Sequence, residues 1–287
     1  MFIILGTLLL LQVLSASSEA CPKKLGCLHT RLFLCCYYTH LNDLPYSQEN
    51  TTTHLSVEGD NIVSLNAEMF RKKNLLGLES LSLVKTGIRS LEERTFEGLV
   101  DLRKIIITRN NIEAIVPYTF KGIPFLSHLD LSNNNISRLH SRAFFGLRML
   151  RLLDLTWNSI FELSGEMFEG MKPENLTAAQ KKAANVRTKR QLVVNFGFVN
   201  TIKPNTFRDV TFTSFALEEY TTAISVLEEN VLVGMKDLRN LELHGISAIE
   251  IGAFSGLNSL KKLVMSTVRL KTINSKTFED LINLKVL

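Results

Sequence analysis

The most reactive side chains are four cysteines, Cys21, Cys27, Cys35 and Cys36, all within sixteen residues of a 287-residue chain. Thiols this close either oxidise in pairs or hold a metal. Adjacent Cys35 and Cys36 would make a strained bridge with each other, so each is expected to pair with Cys21 or Cys27. Zinc is the competing chemistry; the absence of a C-x-x-C pair argues against it. Asn50-Thr51-Thr52, Asn135-Ile136-Ser137 and Asn175-Leu176-Thr177 are acceptors for N-linked glycans. Catalytic constellations are missing. The six histidines are scattered, there is no G-x-S-x-G or H-E-x-x-H, and no glycine-rich phosphate loop follows a strand. The chain is therefore not expected to be an enzyme, nor to carry a metal or cofactor.

The route this chemistry needs is written at the N-terminus. Residues 1–20 hold one charged side chain, Glu19, and an apolar run from Phe2 to Val13. Ser18-Glu19-Ala20 then offers small residues at a cleavage site. This is the pattern of a secretory signal peptide; the run is too short to span a bilayer. The same reading makes the protein extracellular and puts the cysteines in an oxidising compartment. Net charge is +5 and hydrophobic content 45%, an ordinary globular balance that does not mark a nucleic-acid binder.

A repeat organises the remainder. Leu78, Leu102, Leu126 and Leu150 are 24 residues apart, as are Phe96, Phe120, Phe144 and Phe168. Between them recurs L-x-x-L-x-L-x-x-N-x-I-x-x-L-x-x-x-x-F-x-G-L, cleanest in Leu126, Leu129, Leu131, Asn134, Ile136, Leu139, Phe144, Gly146 and Leu147. Weaker copies precede and follow, from Leu55–Phe70 to Leu263–Phe278, nine in all. In the sixth copy the frame assigns Leu192 and Val194 to the inward pair. In L-x-L, alternate side chains face opposite sides of a strand, so the leucines go inward and their neighbours outward. No single copy can bury its own apolar face, so neighbours must stack. The asparagine position is degraded to Asp60, Thr86, Gly197 and Val268 in four copies, so the central copies are expected to be the most regular.

These motifs resemble the typical 24-residue form of the extracellular leucine-rich repeat family, used by Toll-like receptors, Slit proteins and adhesion ectodomains. The cysteine module is similar to that family's N-terminal cap. The resemblance implies an α/β repeat solenoid: a curved horseshoe with a parallel concave sheet and an irregular or short-helical convex side. It divides the chain into a leader (1–20), a cysteine cap (21–50), repeats one to five (51–171), a basic insertion (172–190), and repeats six to nine with the start of a tenth (191–287). It also implies a binding domain of a receptor or adhesion protein, recognising a protein ligand or co-receptor on the concave face. Outward strand positions then name Ile106, His128, Asp130, Leu152, Asp154, Trp157, Val193 and Phe196 as ligand-binding candidates. Trp157 is the only tryptophan, a residue type enriched at binding hot spots.

The insertion is the one abnormal interval, 39 residues between Phe168 and Phe207. It holds six basic residues and one acid. Arg187-Thr188-Lys189-Arg190 is similar to the site cut by furin-like convertases, although Gln191 and Leu192 already enter the next strand. The basic loop supports a second reading, a short secreted matrix protein that binds polyanions such as glycosaminoglycans. The last residues, Leu284 to Leu287, begin a tenth copy. The sequence reads as an incomplete array whose uncapped edge could self-associate. It contains no segment long and apolar enough to cross a membrane.

Overall fold

A computed structural model of the chain describes residues 26–29, 32–37, 51–59, 62, 64–171, 192–208, 210, 213–217, 226–266, 270 and 273–287. Its main element is an eleven-stranded sheet. Gly26–His29 and Phe33–Tyr37 open it as an antiparallel pair, with Cys27 opposite Cys36 in the register. No described cysteine is free. Nine parallel strands follow: His54–Glu58, Ser80–Val84, Lys104–Thr108, His128–Asp130, Leu152–Leu163, Val193–Ile202, Ser214–Leu217, Asn240–His244 and Lys262–Ser266. The strands alternate between buried and half-buried residues, as the L-x-L period requires. Nine strands about 4.8 Å apart span an arc of about 40 Å.

Two columns hold the repeats in register behind the sheet. One is polar. Asn134 Nδ2 donates to the carbonyls of Ile107, Leu131 and Ser132 at 2.8–3.2 Å, while its Oδ1 accepts from Ile112 N. Asn158 repeats the pattern one copy later, and Asn110 one copy earlier. Thr86, at the same frame position, donates its hydroxyl to Asn110 Oδ1. The amide is suited to this place because it offers donors and an acceptor together, and the strand ends it serves are buried away from water. The other column is aromatic. Phe70, Phe96, Phe120, Phe144, Phe168 and Phe207 pack in series with ring centroids 5.7–6.4 Å apart. Phe168 meets Phe207 at 6.0 Å, so the stack runs through the 39-residue interval without a gap.

Helix is slight. Among the described residues it comprises Ala67–Lys72 and a 3-10 turn at Gly165–Phe168. Asn66 starts the first by accepting the Met69 N–H with its side chain, which satisfies one of the orphan donors of the first turn. Other convex segments are turns, with two-residue parallel ladders such as Ser64–Leu65 against Ser90–Leu91. The solenoid expected from the repeat is thus observed, with a convex side of turns more than helices.

The sixth repeat departs from the expected register. Its strand pairs Val194 with Leu153 and Phe196 with Leu155, so the inward pair is Val194 and Phe196, two residues later than the frame assigns. The chain takes four steps from Leu155 to Ser159 but two from Phe196 to Phe198. Gly197 makes this shortening possible. A Cβ there would lie 2.8 Å from the backbone nitrogens of Trp157 and Asn158, so backbone packs on backbone where other repeats place an asparagine.

Candidate functional site

The outward strand positions form two columns that cross the concave sheet. Lys104, His128, Leu152 and Val193 are register partners in one. Ile106, Asp130, Asp154 and Asn195 are partners in the other. All eight are half-buried and face away from the core. Six of the eight candidates named from sequence, Ile106, His128, Asp130, Leu152, Asp154 and Val193, therefore fall in one contiguous block on four neighbouring strands. Phe196 does not. It is 0% exposed and packs against Phe215 at 5.7 Å, because the two-residue shift turns it inward. Trp157 is 57% exposed but lies past the last concave position, Thr156, which is itself buried.

Within the block, hydrogen bonds set the chemistry of each polar group. The Ser127 hydroxyl donates its one proton to the Arg103 carbonyl at 2.9 Å. The 2.7 Å contact between Ser127 Oγ and His128 Nδ1 is then an Nδ1–H donating to oxygen. In the neutral ring, Nε2 is left as the acceptor. Burial, reinforced by Lys104 and Arg151, holds His128 below the ordinary histidine value, so the ring is neutral at pH 7. Thr53 and His54 repeat this arrangement at the start of the array.

Asp130 and Asp154 are similarly built. Each carboxylate accepts the backbone N–H two residues ahead, Ser132 and Thr156, at 2.9 Å. Burial raises the Asp154 pKa, Asp130 adds to the rise, and the Thr156 bond opposes it. Two carboxylates on adjacent strands thus stand beside Ile106, Leu152 and Val193. The arrangement can seat an apolar contact and accept hydrogen bonds from a cationic or N–H-bearing group. Nothing in it supplies a nucleophile, and no group of three or more metal-ligating side chains occurs among the described residues.

Beyond the block, exposed Trp157, Ser159 and Phe161 alternate with buried Asn158 and Ile160 on the second half of the same strand. Sequence reading missed Phe161, 65% exposed, and half-exposed Phe198, the register partner of Ser159. Their signal was present: at the frame position of Phe161 the preceding copies place Arg89, Glu113 and Ser137. Among the acceptors, Asn135 is exposed. Asn50 and Asn175, the leader 1–20, Cys21, and the insertion with Arg187, Lys189 and Arg190 lie outside the described residues.

A stacked solenoid with a ladder of amides, a spine of phenylalanines and an open concave sheet defines a repeat protein. Two family models match its sequence: leucine rich repeat over residues 50–112 and 100–160, and BspA type leucine rich repeat region over 196–287. The chain belongs to the leucine-rich repeat family. It is similar in structure to the TLR13 chain of a TLR13–ssRNA13 complex, with a TM-score of 0.72 at 23% identity, covering 87% of this chain and 34% of that one. It is also similar to a chain of the Drosophila Toll–Spätzle complex, with a TM-score of 0.60 at 13% identity, covering 90% of this chain and 40% of the other. The chain thus spans about a third to two fifths of the length of these structures. A comparison with curated protein sequences finds no match.

Proposed function

We propose that the chain is an extracellular ligand-binding domain of a receptor or adhesion protein, and that it binds a protein partner on the concave face. The observation that carries this is the block of Ile106, His128, Asp130, Leu152, Asp154 and Val193, which joins apolar side chains and oriented acceptors at the centre of the sheet. Binding there is reversible recognition without catalysis. The leader, the cysteine cap with paired Cys21, Cys27, Cys35 and Cys36, and the three glycan acceptors belong to the same reading, as does the division into cap, two repeat blocks and a basic insertion. The similar Toll structure is a complex with Spätzle, which supports a protein ligand.

A polyanion is the second reading. It would act through the basic loop 172–190, which lies outside the described residues, and its support is the six basic residues of that loop together with the RNA in the TLR13 complex. That complex stands in tension with the expectation of no nucleic-acid partner.

The test pans a library of displayed secreted proteins against the chain, with Ile106→Glu/Leu152→Glu and a convex control, Glu93→Lys. Binders lost in the concave variant and kept in the control support the reading. Binders indifferent to the concave charges overturn it. Heparin and single-stranded RNA serve as parallel probes: their retention at 0.05 M salt and loss at about 0.2 M would instead mark counterion release.

A further inference from the structure

On the flank of the fifth repeat, four residues surround one small side chain. Ser159 is exposed. Along its own strand it lies between Trp157 and Phe161, 57% and 65% exposed. Phe198 is its partner on the next strand. On the preceding repeat, Ser159 N donates to Ile136 O, and Phe161 N donates to Ser137 O. Those bonds stack the two repeats, and the 24-residue frame, in which buried Asn134 and Ile136 match Asn158 and Ile160, sets Asn135 level with Ser159 on the side that carries no aromatic ring. The result is a notch with a serine floor, three aromatic walls, and a glycan acceptor asparagine as its fourth side. The stacking of neighbouring repeats sets Asn135 about 4.8 Å to the side of Ser159, and Phe161 lies about 6.6 Å from it along the strand.

The backbone makes Trp157 an unusual residue at its position. It has φ +55°, at the turn position where other repeats place Gly59, Lys85, Arg109, Asn133 and Gly245. Glycine and asparagine take this conformation at little cost, whereas a bulky aromatic does not. A large apolar ring held in an unfavourable conformation and turned to water needs another use.

We propose that the occupant of this notch is the first N-acetylglucosamine of a glycan on Asn135. The face of a pyranose ring carries C–H bonds, an apolar and slightly positive surface suited to the negative face of an indole or phenyl ring. The covalent bond to Asn135 holds the sugar beside the walls, so little freedom is lost when it packs. The sugar then covers the most exposed aromatics in the centre of the array. It also makes Trp157 a glycan contact and leaves the ligand to the concave block. The inference rests on the reading of the chain as secreted.

Because Trp157 is the only tryptophan, its fluorescence reports on the notch alone. The protein secreted from mammalian cells is compared with Asn135→Gln and with Ser137→Ala, which keeps Asn135 but removes the acceptor motif. Acrylamide quenching of Trp157 should rise by about twofold in both variants as the ring face opens to solvent. Trimming a high-mannose form with an endoglycosidase that leaves one N-acetylglucosamine should keep quenching low. An unglycosylated Asn135 in the secreted protein, or equal quenching with and without the glycan, would overturn the proposal. If the native N-terminus fails to direct secretion, the extracellular reading falls. The same comparison on protein carried by an unrelated secretion leader still decides the stacking.

Discussion

Asn134 shows how much one side chain can hold in a repeat protein. Its amide joins carbonyls of its own repeat and of the one before it, together with one N–H of the earlier repeat. Asn134→Ala is expected to cost about 1–3 kcal/mol for each buried group left unpaired, read from urea denaturation. Asp154 runs the other way. Its folded pKa is raised, so the fold favours the protonated form; the carboxylate costs stability as pH rises from the ordinary aspartate range through the raised value. Asp154→Asn keeps the acceptor for Thr156 N and removes the charge. It should raise Tm at pH 7 and bring no such gain at pH 3, where the carboxyl is protonated folded or unfolded. A lower Tm at pH 7 would show that the carboxylate has a partner stronger than the Thr156 amide. His128 has the opposite sign. Its pKa is lowered by burial first, so its penalty appears as pH falls below the ordinary histidine value.

At the level of elements, the turns that close each repeat differ in how tightly they abut the previous one. Gly146 and Gly234 occupy the same frame position, with φ +91° and +103°. A Cβ on Gly146 meets nothing within 4 Å, whereas on Gly234 it would lie 2.4 Å from Arg208 Cα and 2.6 Å from Phe207 O. Gly146→Ala should therefore cost about 1–2 kcal/mol from the left-handed backbone alone. Gly234→Ala should add about 1–3 kcal/mol, because backbone has to move. Equal losses in thermal melts of the two variants would show that the sixth and seventh repeats slide apart freely.

Across the whole molecule, cohesion is uneven. The amide ladder runs through Thr86, Asn110, Asn134 and Asn158 and stops at Gly197. The phenylalanine column has Leu232 at the seventh frame position, between Phe207 and Phe254. Each repeat is stabilised by its neighbours, so local opening follows the weakest interfaces. Native-state hydrogen exchange should find the slowest amides in Lys104–Thr108 and Leu152–Leu163, and faster ones in Asn240–His244 and Lys262–Ser266. The reverse order would mean that hydrophobic stacking alone sets the stability of the array.

The solenoid was legible in the residues alone, because a 24-residue register of Leu, Asn and Phe is a statement about which atoms must stack and which backbone groups must be paired. So was most of the concave block: alternation along a strand is strict, so Ile106, Asp130 and Asp154 could be assigned outward from parity alone. The place of Phe196 was not. The 24-residue frame sets it level with Trp157 in the turn, but two residues are missing at Gly197, so the strand runs on through Phe196 and the alternation that buries Val194 buries Phe196 too, a loss visible only in the pairing of two strands. Nor was the aromatic notch, for the same reason. Asn135, Trp157, Phe161 and Phe198 come from three repeats and share no sequence motif. Only the shortened turn, which pairs Phe198 with Ser159, closes the notch.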